Sequence, residues 1–263
     1  MTTIGVFDSG VGGLSVLRHI RMILPDANLI YVADSAHVPY GDKTTHHIEQ
    51  RAILLTRFLT GQGADAIVIA CNTATAAAAA TLRREFSLPI IGMEPAVKPA
   101  VTATKSGVVG VLATVGTLKS ARFSALLERY AGNIRIVTQG CPGLVEQVEL
   151  GDLTGDKTRE LVKRYTEPLL VRGADTLILG CTHYPFLATL IRDVAGENIA
   201  LIDTGEAVAR QLQHRLLAEL PDSRPGNGNA YFFTSGDAQT ASSIMSRLWG
   251  NPVVALKLPM EFA

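Results

Sequence analysis

The chain has 263 residues, 47% of them hydrophobic and 18% charged, which describes a compact globular protein able to bury a proper core and excludes a disordered one. Lys+Arg and Asp+Glu both number 24, so the net charge is zero and neither nucleic acid nor an anionic membrane is expected as the main partner. No apolar run approaches the roughly 18 residues of a membrane span. The start, Met1-Thr2-Thr3-Ile4, has neither the charge nor the apolar run of a signal peptide, which makes the cytoplasm the expected compartment.

Taken in chain order, short β-rich runs alternate with amphipathic stretches. A strand is predicted at Ile4–Phe7, then glycines, then a helix over Leu14–Leu24. Leu29–Ala33 is the next strand, and Ile48, Ala52, Leu55 and Leu59 mark a helix between Thr45 and Leu59. A buried strand at Ala66–Ala70 leads into an alanine-rich helix over Thr75–Phe86 and a short strand at Leu88–Gly92. The rhythm then repeats. Strands are predicted at Val108–Ala113, Ile134–Thr138, Thr176–Leu179 and Ile199–Ile202, with helices at Leu118–Tyr130, Gly143–Gly151, Lys157–Arg172, Phe186–Val194 and Glu206–Leu220. Pro221–Asn229 reads as a loop, and Tyr231–Thr234, Ala238–Trp249 and Val253–Leu258 close the chain as strand, helix and extended edge.

Strands alternating with helices imply parallel sheets covered on both faces. A coarse echo runs through the pattern. Cys71 lies 63 residues after Asp8, which follows the first strand, and Cys181 lies 67 residues after Thr114, which follows the first strand of the second half. Each cysteine directly follows an apolar strand. The expected architecture is α/β in two pseudosymmetric domains, each a mostly parallel sheet flanked by helices, with a cleft between them. Residues 1–96 plus 208–263 are assigned to the first domain and 97–207 to the second.

In open parallel sheets ligands bind beyond the carboxyl ends of the strands. There the sequence places Asp8-Ser9-Gly10, Cys71-Asn72-Thr73-Ala74, Ala113-Thr114 and Cys181-Thr182-His183-Tyr184-Pro185. If the halves face each other, Cys71 and Cys181 approach one site from opposite sides. That suits inversion of a stereocentre by proton transfer, which needs a base on one face and an acid on the other. A thiol, with a free pKa of about 8.5, can serve as either. Asp8 is a candidate acid–base assistant for Cys71. His183, two residues after Cys181 and on its side of an extended segment, is the candidate for the other. Ser9, Asn72, Thr73 and Thr182 offer hydrogen bonds to a small zwitterion, and the N–H groups of Gly10, Gly12 and Gly13 ahead of a helix offer a seat for a carboxylate.

Each feature also has a plainer reading. A buried cysteine is usually a small apolar filler. Cys141, in Gly140-Cys141-Pro142, lacks polar company and is read as structural. The glycines can be no more than a tight strand-to-helix turn. A dinucleotide fingerprint fails because Ser15 stands where the third glycine would be, and no phosphate-loop Gly-Lys-Ser/Thr occurs. His19, His46, His47 and His214 fall on helices and read as surface residues. With no Cys-x-x-Cys or His-x-x-x-His pair, nothing points to zinc. Three cysteines without an export signal are free thiols, not a disulfide framework. Spacing does not decide whether Glu94 and Glu149 are helix-end charges or lining groups.

Phe7-Asp8-Ser9-Gly10-Val11-Gly12-Gly13, Pro39-Tyr40-Gly41, Cys71-Asn72-Thr73-Ala74 and Gly180-Cys181-Thr182-His183-Tyr184-Pro185 together resemble the glutamate racemases of the aspartate/glutamate racemase family. The likeness covers nearly the whole chain, and the motifs recur in the family's order. It implies interconversion of L- and D-glutamate without pyridoxal phosphate or metal, supplying D-glutamate for peptidoglycan. By position it makes Cys71 the base for D-glutamate, assisted by Asp8, and Cys181 the base for L-glutamate, assisted by His183. Ser9, Pro39, Tyr40, Gly41, Asn72, Thr73 and Thr182 match substrate-contacting positions, and Thr114 and Thr117 match a threonine-bearing loop of the second half. Where the family often reads Cys-Pro-x-Phe-Val-Pro-Leu-Val-Glu, this chain reads Cys141-Pro142-Gly143-Leu144-Val145-Glu146-Gln147-Val148-Glu149. Glu149 still matches an acidic position that assists catalysis. The resemblance allows a homodimer and implies no cofactor.

Three other readings stay open. A racemase for another acidic amino acid, such as aspartate, needs the same two thiols. A non-catalytic two-lobed amino-acid-binding protein explains a cleft but not a cysteine on each side of it. Redox sensing lacks a resolving cysteine nearby in sequence.

Overall fold

Most of the inner strands are runs rich in Val, Ile and Leu buried on both faces, as a parallel sheet covered by helices requires. The computed structural model describes residues 2–221 and 224–263. In chain order the first part comprises β1 (Thr3–Asp8), α1 (Leu14–Ile23), β2 (Asn28–Ala33), α2 (Thr45–Gly61), β3 (Ala66–Ile69), α3 (Asn72–Glu85) and β4 (Ile90–Ile91). The middle comprises α4 (Val97–Ala103), β5 (Val108–Ala113), α5 (Val115–Lys119), α6 (Ala121–Tyr130), β6 (Arg135–Gly140), α7 (Leu144–Glu149), α8 (Asp156–Val171), β7 (Thr176–Gly180), α9 (Ala188–Ala195) and β8 (Ala200–Ile202). The chain closes with α10 (Gly205–Glu219), β9 (Ala230–Thr234), α11 (Ala238–Trp249) and β10 (Ala255–Lys257). Single 3-10 turns occupy Tyr40–Asp42 and Tyr184–Leu187.

The strands form two sheets, of order β10-β9-β2-β1-β3-β4 and β6-β5-β7-β8. Every strand pair among the described residues is parallel. The order β2-β1-β3-β4 is repeated as β6-β5-β7-β8, so the coarse echo in the sequence is a repeat of topology. The repeat extends to single residues. Gly63-Ala64-Asp65 ahead of β3 corresponds to Gly173-Ala174-Asp175 ahead of β7, and both glycines are left-handed (φ 82° and 91°). In both halves the chain turns to opposite sides of the first strand, and the cleft beyond that switch point is where an open parallel sheet binds ligands.

Several elements differ from the sequence reading, for local reasons. The alanine-rich helix begins at Asn72, not Thr75, because the sulfur of Cys71 caps it, accepting from the Ala74 N–H at 3.4 Å. The stretch read as one helix over Leu118–Tyr130 is two, α5 and α6, divided at Ser120, whose hydroxyl accepts from the Phe123 N–H. Helix α4 was not read from the sequence. Its Pro99 sits in the first turn, where a missing N–H costs nothing. In the predicted loop Pro221–Asn229, Asp222 and Ser223 lie outside the described residues, and Arg224–Asn229 has no regular structure. Among the described residues no helix is long and apolar enough to cross a membrane.

The two halves meet along an apolar seam in which Val11 and Leu14 share one buried cluster with Val148 and Tyr184. The repeat also sets matching steric limits inside each half. A Cβ at Gly5 of β1 would lie 2.8 Å from Ile67 Cδ1 and 3.0 Å from Leu59 Cβ; at Gly110 of β5 it would lie 2.6 Å from Leu177 Cδ2 and 2.9 Å from Leu169 Cδ1. Overpacking of this kind costs about 1–3 kcal/mol. Gly5→Ala and Gly110→Ala are each expected to lower the free energy of unfolding by that amount, read by circular dichroism as a lower urea midpoint with the slope of the transition unchanged.

Candidate active site

Both cysteines sit just beyond an inner strand, Cys71 two residues and Cys181 one residue past its end. Cys71 follows β3 and Cys181 follows β7, each buried, with 5% and 7% of its surface exposed. Both line one narrow cavity at the seam between the halves. The first half contributes Ser9, the Pro39-Tyr40-Gly41 wall, Cys71, Asn72 and Thr73. The second contributes Thr114, Cys181, Thr182 and His183, together with Val145 and Gly180. Sequence reasoning missed Val145 and Gly180, since an aliphatic side chain and a strand-end glycine carry no chemical signature. Of the residues expected at the site, Asp8, Thr117 and Glu149 stand behind the cavity wall and reach it through neighbours.

On the Cys181 side, the thiol lies 3.7 Å from Nδ1 of His183, and Nε2 of His183 lies 2.6 Å from Oε1 of Glu149. A tight turn, not an extended segment, brings His183 to Cys181: the Tyr184 N–H donates to the Cys181 carbonyl, and His183 has helical backbone angles. The same Glu149 oxygen accepts from the Val11 N–H at 2.7 Å, tying α7 of the second half to the glycine loop of the first. That loop must be glycine-rich for steric reasons. A Cβ at Gly10 would fall 1.9 Å from Glu149 Oε1, and one at Gly12 would fall 2.2 Å from His183 Nδ1. Burial opposes a charge on His183, but its hydrogen bonds to Cys181 and Glu149 prevail and raise its pKa well above the ordinary imidazole range.

On the Cys71 side, the thiol is 4.0 Å from the Ser9 hydroxyl, which is 3.4 Å from Oδ1 of Asp8. Asp8 therefore reaches Cys71 through Ser9. Its other oxygen accepts from the Gly13 N–H at 2.7 Å and lies 3.5 Å from the Thr182 hydroxyl. Complete burial raises the pKa of Asp8; the His183 charge lowers it and the Glu149 charge raises it. Burial, with the Asp8 charge adding to it, pushes the Cys71 thiol well above its usual range. One sequence expectation is corrected at one residue. Of the Gly10, Gly12 and Gly13 N–H groups expected to seat a ligand carboxylate, that of Gly13 is already bonded to Asp8, and that of the intervening Val11 to Glu149.

The remaining polar groups divide into occupied and free. Tyr40 is fixed from behind: its hydroxyl donates to Oδ2 of the buried Asp34 at 2.6 Å, and Arg51 grips both oxygens of that carboxylate. The hydroxyls of Thr73, Thr114 and Thr117 form a triangle with sides of 2.9, 3.1 and 3.0 Å that spans the two halves. Asn72, by contrast, is buried with both side-chain polar atoms unpaired. A buried amide without partners marks a place where a ligand or ordered water completes the hydrogen bonding. Cys141 stands apart, with its sulfur against the Gln139 carbonyl and its thiol pushed up by burial to about 12.

Comparison with known proteins agrees with this geometry. Residues 4–212 match the family model described as Asp/Glu/Hydantoin racemase. The chain is 58% identical to a glutamate racemase of Methylococcus capsulatus over 99% of this chain and 96% of that one. It is 60% identical to that of Ectopseudomonas mendocina over 94% of each. Among solved structures, Escherichia coli glutamate racemase in complex with L-glutamate and the activator UDP-MurNAc-Ala superposes with a TM-score of 0.87 at 35% identity, covering 97% of each chain. Two repeated parallel sheets, a thiol from each facing one cavity, and a match over most of the chain lead to one conclusion: this protein belongs to the Asp/Glu/hydantoin racemase family.

Proposed function

We propose that this protein is a glutamate racemase that interconverts L- and D-glutamate through two thiols, supplying D-glutamate for peptidoglycan. The observation that carries the reading is the opening of Cys71 and Cys181 into one small cavity from opposite halves. The names of the relatives favour glutamate over aspartate, and the unpaired amide of Asn72 favours a polar ligand. The two domains proposed are residues 1–96 plus 208–263 and residues 97–207. The packing of α10 on α1 and of α4 on α6, β7 and β8 supports that division.

In this mechanism Cys181 takes the α-proton of L-glutamate, and Cys71, kept as a thiol by its burial, delivers a proton to the opposite face. In the reverse direction the roles exchange. An imidazolium at His183 donates through Nδ1 toward the Cys181 sulfur, so negative charge there is met by a cation; Glu149 holds that cation in place. Asp8, reaching Cys71 through Ser9, is the assistant on the other side. Asn72, Thr73, Thr114, Thr117, Thr182 and the Pro39–Gly41 wall are proposed to hold the substrate, and no cofactor takes part.

The test is incubation of the pure protein with D-glutamate in heavy water without added cofactor. L-glutamate carrying deuterium at the α-carbon is expected; absence of exchange, or a requirement for pyridoxal phosphate, overturns the reading. Cys71→Ser and Cys181→Ser are each expected to lower kcat by about 10²-fold or more, measured by polarimetry, and full activity in either refutes the two-thiol mechanism. A third expectation concerns pH. His183 has a raised folded-state pKa, so its protonated form contributes stability in full below about pH 6.5 and loses it as pH rises through the folded value. Glu149→Gln removes the carboxylate that holds the proton, so the basic limb of the kcat/KM profile should move to lower pH. A basic limb that stays in place would show that Glu149 does not act through His183.

A further inference from the structure

In the sequence, Ser15 is notable only for interrupting a glycine pattern. In the structure it lies in the first turn of α1, buried, and its hydroxyl donates to the backbone carbonyl of Thr182 at 2.9 Å across the seam. Thr182 stands between Cys181 and His183. The carbonyls on either side of it are used inside the turn: that of Cys181 accepts from the Tyr184 N–H, and that of His183 accepts from the Phe186 N–H. The Thr182 carbonyl faces the other half and meets Ser15. One turn further along α1, the Arg18 guanidinium lies 5.7 Å above the ring of Phe186, so residues 15 and 18, neighbours on one helix face, both touch the Thr182–Phe186 segment.

We propose that Ser15 is a positioning residue for the second thiol, fixing the turn that sets Cys181 and His183 against the substrate carbon. The turn depends on such a hold. Cys181 and His183 meet at 3.7 Å, a loose contact for a sulfur–nitrogen pair, and a proton transfer at carbon loses rate steeply when its geometry drifts. Because Ser15 belongs to the first half, it ties the turn that carries the far thiol to α1. The Cys71 side is tied across the seam by other atoms: Thr73, two residues on, bonds to Thr114 and Thr117, and the Cys71 sulfur is set by the Ala74 N–H. The effect of Ser15 is therefore confined to one of the two proton transfers.

The proposal rests on the assignment of Cys181 to L-glutamate, and the experiment separates the two. Ser15→Ala is expected to lower kcat about ten-fold. The deciding measurement is the primary isotope effect on kcat/KM with α-deuterated L-glutamate and α-deuterated D-glutamate, in the wild-type protein and the variant. With transfer at Cys181 slowed, cleavage of the L-isotopologue becomes more rate-limiting and its isotope effect rises. Cleavage of the D-isotopologue by Cys71 becomes less so, and its effect falls toward one. Loss of folded protein alone moves neither value. The opposite asymmetry would keep Ser15 as a one-sided positioner and overturn the assignment of Cys181 to L-glutamate. Isotope effects that are unchanged, or that move together, overturn the proposal. If Ser15→Ala does not fold, Ser15→Cys, of similar size with a weaker donor, is read in the same way.

Discussion

The Glu149 carboxylate is the join on which the site depends. One of its oxygens holds both the imidazole of His183 and the backbone N–H of Val11, so a single acceptor fixes the second-half turn and the first-half glycine loop together. Remove that oxygen and three things loosen at once: the proton on His183, the approach of the glycine loop, and the seam. The glycines at positions 10 and 12 are the counterpart of the same constraint, because any side chain there would occupy the space of Glu149 or His183.

The repeated topology makes the two halves alike in backbone, yet the thiols sit in unlike electrostatic surroundings. Cys71 is buried beside a carboxylate and is disfavoured as an anion, while Cys181 faces an imidazole held protonated by a second carboxylate. Symmetry of fold supplies opposed positions, and local departures from symmetry supply unlike neighbours.

The alternation of strand and helix, the coarse repeat and the two cysteines at strand ends were legible in the sequence because each rests on local pattern: β-rich runs, amphipathic spacing, and a polar group after an apolar run. What was not legible rests on contacts distant in sequence. The glycine-loop N–H groups looked free because nothing near residue 11 announces an acceptor at residue 149. Ser15 looked incidental because its partner lies in the other half. The start of α3 was misplaced because cysteine is not a usual helix cap, and α5 was merged with α6 because Ser120 was not read as a cap between them. Glu149 lay between these extremes: its position was visible, but its partner was not.

The hydroxyl triangle of Thr73, Thr114 and Thr117 has a consequence in proton counting. Three hydroxyls carry three protons, and a closed ring in which each donates once and accepts once consumes them all. An anion arriving there gains a donor only by opening an edge of the ring, so its binding exchanges one hydrogen bond for another and adds none. The ring closes again when the anion leaves. Any anion that opens an edge at Thr73 is therefore held at the expense of a contact between the two halves.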